Sequence, residues 1–344
     1  HREHQPENTN NMGLTLPNDY CSFCHQEIAE ERQTHVGLGF ETCATAGCHN
    51  YHDNSSLYES FITSHLNEPD FKANGKVPER DSTKRNSVDS SIPLTQVEAN
   101  MPSNVPVTRE LLNSWQKSIH AQKLINCRHC HSTVSDEVEI TKWDNQVSID
   151  TCAQCHEYES QGFKEGKHGM RLAQGLSHMK PKLAKLAMKT ESHHENLNCT
   201  SCHSSHRFET KRAAVYACLK CHNDEHSNSY LNSPHYSTWL NELRGIESSG
   251  TGVSCATCHM PRIKVTKFGE TSIKVDHNQN NTLRPNEKMI RSVCLNCHGL
   301  QFSINSLADE SLIRLNFTGK SSLHIKSLDM VAQELLRTQE HADK

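Results

Sequence analysis

Seven short stretches of this 344-residue chain place two cysteines three positions apart with a histidine immediately after the second. They are CSFCH (Cys21, Cys24, His25), CRHCH (Cys127, Cys130, His131), CAQCH (Cys152, Cys155, His156), CTSCH (Cys199, Cys202, His203), CLKCH (Cys218, Cys221, His222), CATCH (Cys255, Cys258, His259) and CLNCH (Cys294, Cys297, His298). Two thiols at this spacing can add to the vinyl groups of one porphyrin while the next histidine offers a ring nitrogen to the iron. The pattern therefore reads as covalent attachment of c-type haem.

The seven motifs use fourteen of the sixteen cysteines, and the remaining pair is Cys43 and Cys48 in CATAGCH, followed at once by His49. Two additional residues between the thiols can loop out while both sulfurs still reach the vinyls, so this stretch reads as an eighth site. The alternative for it is a disulfide between Cys43 and Cys48. Zinc ribbons also use CxxC pairs, but they take two pairs per metal and would leave eight adjacent histidines without a role. A disulfide framework leaves the same histidines unexplained.

Composition agrees with eight covalently bound haems. Hydrophobic residues make up 34% of the chain and the mean hydropathy is −0.73, too polar for a conventional core at this length. With 344 residues shared among eight haems, about 43 residues wrap each one. The expected fold is mainly α and loop, a multihaem cytochrome c in which haems replace the hydrophobic core and the apoprotein is largely unfolded. The net charge of −4 has no basic stripe that would suggest nucleic acid. No apolar run approaches the length of a membrane span. The first residues, HREHQPENTN, lack a signal-peptide pattern, so the expectation is a secreted chain, periplasmic or extracellular, with its signal peptide already removed.

Eight of the 25 histidines are the proximal ones, which leaves seventeen for the opposite faces of the irons. His52 and His206 each follow a proximal histidine by three residues, an offset that suits a neighbouring haem rather than their own. His35, His65, His120, His168, His193 or His194, His226, His235 and His277 are further distal candidates, whereas His1, His4, His129 and His341 are set aside. Iron with two histidines relays electrons, and iron with an open position allows substrate chemistry.

The elements that must position these groups are modest. LYESFITSHL (57–66), TRELLNSWQKSIHAQKL (108–124) and LDMVAQELLRTQEHADK (328–344) carry apolar residues at helical spacing, and no alternating stretch predicts a strand of useful length. Residues 66–119 hold no cysteine and, His120 lying just beyond, no histidine; the stretch KANGKVPERDSTKRNSVDSSIP within them is polar and broken by Gly, Pro and Ser. The expected division is a two-haem N-terminal segment (1–67), a polar linker or surface arm (68–106), a six-haem body (107–300) and a C-terminal helical tail (301–344).

The stretch SPHYSTWLNELRGIESSGTGVSCATCHMPRIK, with VDHNQNN and VCLNCHG after it, resembles the C-terminal half of the pentahaem ammonia-forming nitrite reductases. Octahaem hydroxylamine oxidoreductases and related octahaem reductases share that core with three haems added before it. The resemblance is specific over residues 233–298 and looser back to Cys127. It implies a catalytic haem at Cys152, Cys155 and His156, an active-site role for His235 and distal ligation by His277. Departures accompany it: His156 stands where the nitrite reductases usually have lysine, no arginine occurs in 129–151, and CHNDEH offers Glu225 and His226 where they have a CHxEY tyrosine. The cross-linking tyrosine of the oxidative branch has no counterpart, since the last tyrosine is Tyr236. GKHGMR (166–171) can close the fourth iron through His168 or Lys167, or offer Lys167 and Arg171 to an anion beside an open iron. The main expectation is thus an octahaem electron carrier with mostly bis-His irons and redox proteins, possibly copies of itself, as partners. The alternatives are a reductase of nitrite, hydroxylamine or tetrathionate at the fourth haem, using His235, Lys167 and Arg171, and a subunit of an extracellular cytochrome filament.

Overall fold

The computed structural model describes residues 36, 60–79, 92–135, 138–267 and 269–342. The sites expected at Cys21, Cys24 and His25 and at Cys43, Cys48 and His49, with the distal candidates His35 and His52, lie outside the described residues.

Short helices joined by ordered loops dominate the described chain, as its composition requires. The pattern expected at 57–66 forms a helix over Ser60–Ser64. That at 108–124 forms two, Arg109–Gln116 and Ile119–Gln122. The break falls at Ser118, whose hydroxyl accepts from the Ala121 backbone and starts the second helix as an N-cap. The tail forms the helix Ser327–Ala342. Among the described residues no helix is long and apolar enough to cross a membrane.

Strands are the correction to the sequence reading. Among the described residues two antiparallel hairpins are present, Ser132–Ser135 with Val138–Trp143 and Arg262–Lys267 with Glu270–Val275. The second pairs in unbroken register from Arg262 with Val275 to Lys267 with Glu270, and Gly269 supplies the left-handed turn residue at φ 79°. RIKVTK does alternate, with Arg262, Lys264 and Thr266 on one side and Ile263, Val265 and Lys267 on the other, but no residue of either strand is fully buried. The contrast between faces that marks a strand is therefore weak.

Among the described residues, two small apolar clusters form. Ile290, Leu300, Leu307 and Leu328 pack behind the last haem motif, joined by Phe61 and Leu66 from the early part of the chain. Val215, Tyr230 and Trp239 form the other behind the sixth and seventh motifs, with Cys255 at its edge. Both described ends of the segment 68–106 are packed on this body. Lys72 N–H donates to the Cys297 carbonyl at 2.8 Å and Val77 N–H to that of Gly250 at 2.8 Å. A Cβ at Gly75 would lie 2.7 Å from Cys297 Cα, so only glycine permits that approach. Further on, Asn100 Oδ1 accepts from Arg128 N–H at 2.9 Å beside the third motif.

Candidate haem-binding sites

Each described CxxCH segment is built on a single turn. The proximal histidine's N–H donates to the carbonyl of the first cysteine at 3.0 Å for His203, 2.9 Å for His156 and His222, and 2.8 Å for His298. One turn of this kind brings residues i, i+3 and i+4 to the same side, so both sulfurs and the imidazole share a face. The flanking residues fix where the turn starts. Asn126, Asn198 and Ser254 precede their first cysteines as N-caps, and His129, Ser201 and Thr257 reach back to the cap backbone at 3.0, 3.1 and 3.0 Å. His129, set aside as a ligand, is thus a capping residue.

Six proximal histidines each face a second histidine. The ring centroids are 5.8 Å apart for His131 and His206, 6.2 Å for His156 and His120, and 6.3 Å for His203 and His277. They are 6.3 Å apart for His222 and His168, 6.1 Å for His259 and His226, and 6.2 Å for His298 and His235. Imidazole nitrogens bind such metals at about 2 Å, and the ring centre lies about 1.1 Å behind its nitrogen, so two ligands of one iron hold their centroids about 6 Å apart. The opposed rings and adjacent sulfurs fit haem.

Local backbone explains how the distal rings are aimed. His120, His226 and His235 occupy the second position of helices Ile119–Gln122, Glu225–Ser229 and Pro234–Leu243, capped by Ser118, Asp224 and Ser233. The shared pattern of cap, one residue, then histidine (SIH, DEH, SPH) is a sequence signal the spacing argument overlooked. His206 sits at φ 67°, a left-handed conformation uncommon away from glycine and held where the surrounding structure fixes it.

The opposite ring nitrogens are anchored. His131 Nδ1 is 2.6 Å from the Asp144 carbonyl, His298 Nδ1 3.0 Å from that of Asp70 and His277 Nδ1 3.0 Å from that of Val275. His226 Nδ1 meets the Ile313 carbonyl, and His222 Nδ1 faces Asp224 Oδ2 at 3.7 Å. Such partners fix the tautomer and leave Nε2 for a metal in His131, His298 and His277, whereas the Asn316 amide lies 3.3 Å from His226 Nε2. His259 Nδ1 is buried with no hydrogen-bond partner. Burial, then the facing histidine, pushes His168 and His235 down to about 4, and burial followed by His226 does the same to His259. These three imidazoles are therefore neutral at ordinary pH, the form that binds metal.

The attachment cysteines form a series in space. Cys130 is pushed up by burial and then by Cys152, Cys127 and Cys155, which ties the third motif to the fourth. Cys152 and Cys199 share a side-chain hydrogen bond, as do Cys218 and Cys255. Burial raises Cys202 to about 12, with Cys218 and Cys221 next, and Cys258 to about 12, with Cys294 and Cys297 next. These sulfurs are thioethers once haem is attached, so the contacts mark neighbouring attachment points. Motifs three to eight follow one another in chain order, with two kinds of junction alternating.

Several expectations change. His168 faces His222 of the sixth motif rather than closing the fourth site, because the nine-residue helix Glu157–Glu165 carries the chain about 13 Å onward. His235, expected as an active-site group at the fourth haem, opposes His298. Lys167 N–H donates to Gln279 Oε1 at 3.0 Å, and the Arg171 guanidinium is turned to Ser177 O and Oγ at 3.1 and 3.3 Å. His65 faces none of the described proximal histidines. Its Nδ1 lies 2.6 Å from the Phe61 carbonyl. His193 Nε2 lies 3.4 Å from the Met188 carbonyl.

The Cytochrome c3 family profile matches residues 119–223, a stretch that contains four CxxCH motifs. Cytochrome c-552 of Haemophilus ducreyi is 25% identical over 134 residues, covering 33% of this chain. The match spans only 26% of that relative's own length. Taken with the motifs and the opposed histidines, these similarities support a multihaem c-type cytochrome.

Proposed function

We propose that this chain is an octahaem electron relay in which every iron of the six-site body is held between two histidines. Haem in such a setting supplies a one-electron carrier, ferric or ferrous. The residues do the rest: His206, His120, His277, His168, His226 and His235 occupy the faces opposite His131, His156, His203, His222, His259 and His298. The observation that carries the reading is the opposition of His120 and His156 at 6.2 Å, since the fourth site is the one at which the reductase alternative needs an open iron. Serial adjacency of the attachment cysteines supports a conduction path in chain order.

The two remaining haems are assigned to Cys21, Cys24 and His25 and to Cys43, Cys48 and His49. His65 is a distal ligand for one of them, because its Nδ1 has the same carbonyl anchor as the ligand pairs. Covalent haem supports a location outside the cytoplasm, periplasmic or extracellular, with redox proteins as partners. Intact-mass measurement of the haem-loaded protein is expected to find eight haems, and carbon monoxide is expected to leave the optical spectrum of the reduced body unchanged. Carbon monoxide binding at one haem, with turnover of nitrite or hydroxylamine, would replace the relay by the reductase.

A further inference from the structure

The chain around His65 is fastened to the eighth haem motif. Phe61 and Leu66, which flank His65, pack on the cluster of Ile290, Leu300, Leu307 and Leu328 behind that motif, and the Arg291 guanidinium covers the Phe61 ring at 3.5 Å. Glu68 Oε2 accepts from Leu300 N–H at 3.1 Å. Lys72 Nζ meets Glu68 at 2.6 Å and donates to the Leu295 carbonyl, inside the motif, at 3.0 Å. The Asp70 carbonyl anchors His298 Nδ1 at 3.0 Å, and the Phe71 ring stands edge-on to the His298 ring at 5.0 Å. A Cβ at Gly299 would lie 2.7 Å from the Pro69 carbonyl oxygen, so glycine there lets the strap lie against the motif.

His65 keeps one ring nitrogen for a metal. Its Nδ1 is held by the Phe61 carbonyl at 2.6 Å, whereas Nε2 has Glu68 Oε1 at 3.9 Å, beyond hydrogen-bond range. His65 and Asp70 are five residues apart, a span of about 18 Å at most. The third motif is met by a different part of the chain. The Glu98 carbonyl accepts from Asn126 Nδ2 at 2.7 Å, and Asn100 accepts from Arg128 N–H and Nε at 2.9 and 2.8 Å. Those residues follow His65 by 33 and 35 positions. The series of attachment cysteines runs from the third motif to the eighth, so the two sets of contacts sit at its opposite ends.

We infer that the haem bound by His65 joins the relay at the eighth site rather than the third, with His65–Phe71 as the spacer that fixes the separation of the two irons. The inference rests on the electron-relay reading and on His65 as a ligand. Electron order then departs from chain order: the N-terminal haems extend the end of the body that the sequence writes last, and the third site is the opposite terminus. In each step one electron leaves a ferrous iron and reduces the neighbouring ferric iron, with no bond made and no proton required. Asp70 and Phe71 are positioning residues for this junction, since they hold the strap on the ligand His298 itself.

The test uses the haem-loaded chain with two distal ligands replaced, comparing His65→Ala/His235→Ala with His65→Ala/His206→Ala. The first pair opens the His65 iron and the eighth, the second the His65 iron and the third. After reduction with dithionite and addition of stoichiometric nitric oxide, the two opened irons are the paramagnetic ones, because ferrous haem with two histidines is diamagnetic. Pulsed double electron–electron resonance then reads their separation. Strong dipolar coupling is expected in the His235 pair, with its loss or marked weakening in the His206 pair. Equal coupling in both, or stronger coupling in the His206 pair, would overturn the inference while leaving the relay intact. Absence of a nitrosyl signal from His65→Ala alone would count instead against His65 as a ligand. If the alanine variants lose haem, His65→Met/His235→Met and His65→Met/His206→Met keep each iron ligated and raise its potential. The two highest potentials are then expected to lie further apart in the His235 pair, because adjacent reduced haems repel, and an equal or smaller gap there would overturn the inference.

Discussion

In the proposed relay, Asp224 is placed to tune the ligand His222. It caps the helix that carries His226 and at the same time faces His222 Nδ1 at 3.7 Å. The His222 imidazole, with Ser227, holds its carboxyl well below the usual carboxylate range. A carboxylate beside the proximal imidazole makes it a stronger donor and favours ferric iron. Asp224→Asn is therefore expected to raise the potential of one haem, by roughly tens of millivolts, in a spectroelectrochemical titration. His259, with no partner at Nδ1, is the weaker donor, so the seventh site should sit above the sixth. His120→Ala is expected to leave haem attachment intact and to create a single carbon monoxide-binding iron at the fourth site. Retention of a fully low-spin spectrum in that variant would mean that His120 is not the ligand there.

At the scale of elements, stability rests on the turns that begin each motif and on the strap laid against the last one. Asn198→Ala or Ser254→Ala removes the acceptor for Ser201 N–H or Thr257 N–H and should cost about 1 kcal/mol in denaturant unfolding. Gly75→Ala forces a methyl to within 2.7 Å of Cys297 Cα, an overpacking expected to cost about 1–3 kcal/mol. It should also perturb the last haem's spectrum before the others. Asp309 caps the helix Glu310–Arg314 and also accepts from Ser321 and Ser322. These hydrogen bonds, led by that from the Leu312 backbone, lower its pKa. Its contribution is therefore full above the ordinary carboxylate pKa and fades as pH falls through the lowered one. The two-part helix at 109–122 was half legible: the apolar spacing shows helix, and the break depends on Ser118 outcompeting continuation as a cap. The hairpin Arg262–Val275 was illegible for a different reason, since both of its faces remain partly exposed.

For the whole molecule, the chemistry of attachment is written locally and the pairing is not. A thiol spacing and an adjacent histidine can be read from five consecutive residues, so every described proximal position is apparent in the chain itself. Which histidine faces which depends on contacts across tens of residues. His168, twelve positions after His156, invites a local pairing that the intervening helix prevents. His206 turns back to His131 through a left-handed residue, and His235 reaches a motif more than sixty residues further on. The small apolar clusters lie behind the histidine pairs rather than between them, so removing the haems is expected to abolish cooperative unfolding, checked by calorimetry of apoprotein prepared without haem attachment.

The proposed relay requires that no iron of the six-site body is open. Electron paramagnetic resonance of the fully oxidised, haem-loaded protein tests it most directly. The expected spectrum is wholly low-spin for the six body sites, with the near-parallel His131 and His206 rings, 14° apart, giving a signal distinct from the 84° pair His120 and His156. A high-spin signal that integrates to one body haem, and that shifts when nitrite or hydroxylamine is added, would contradict it.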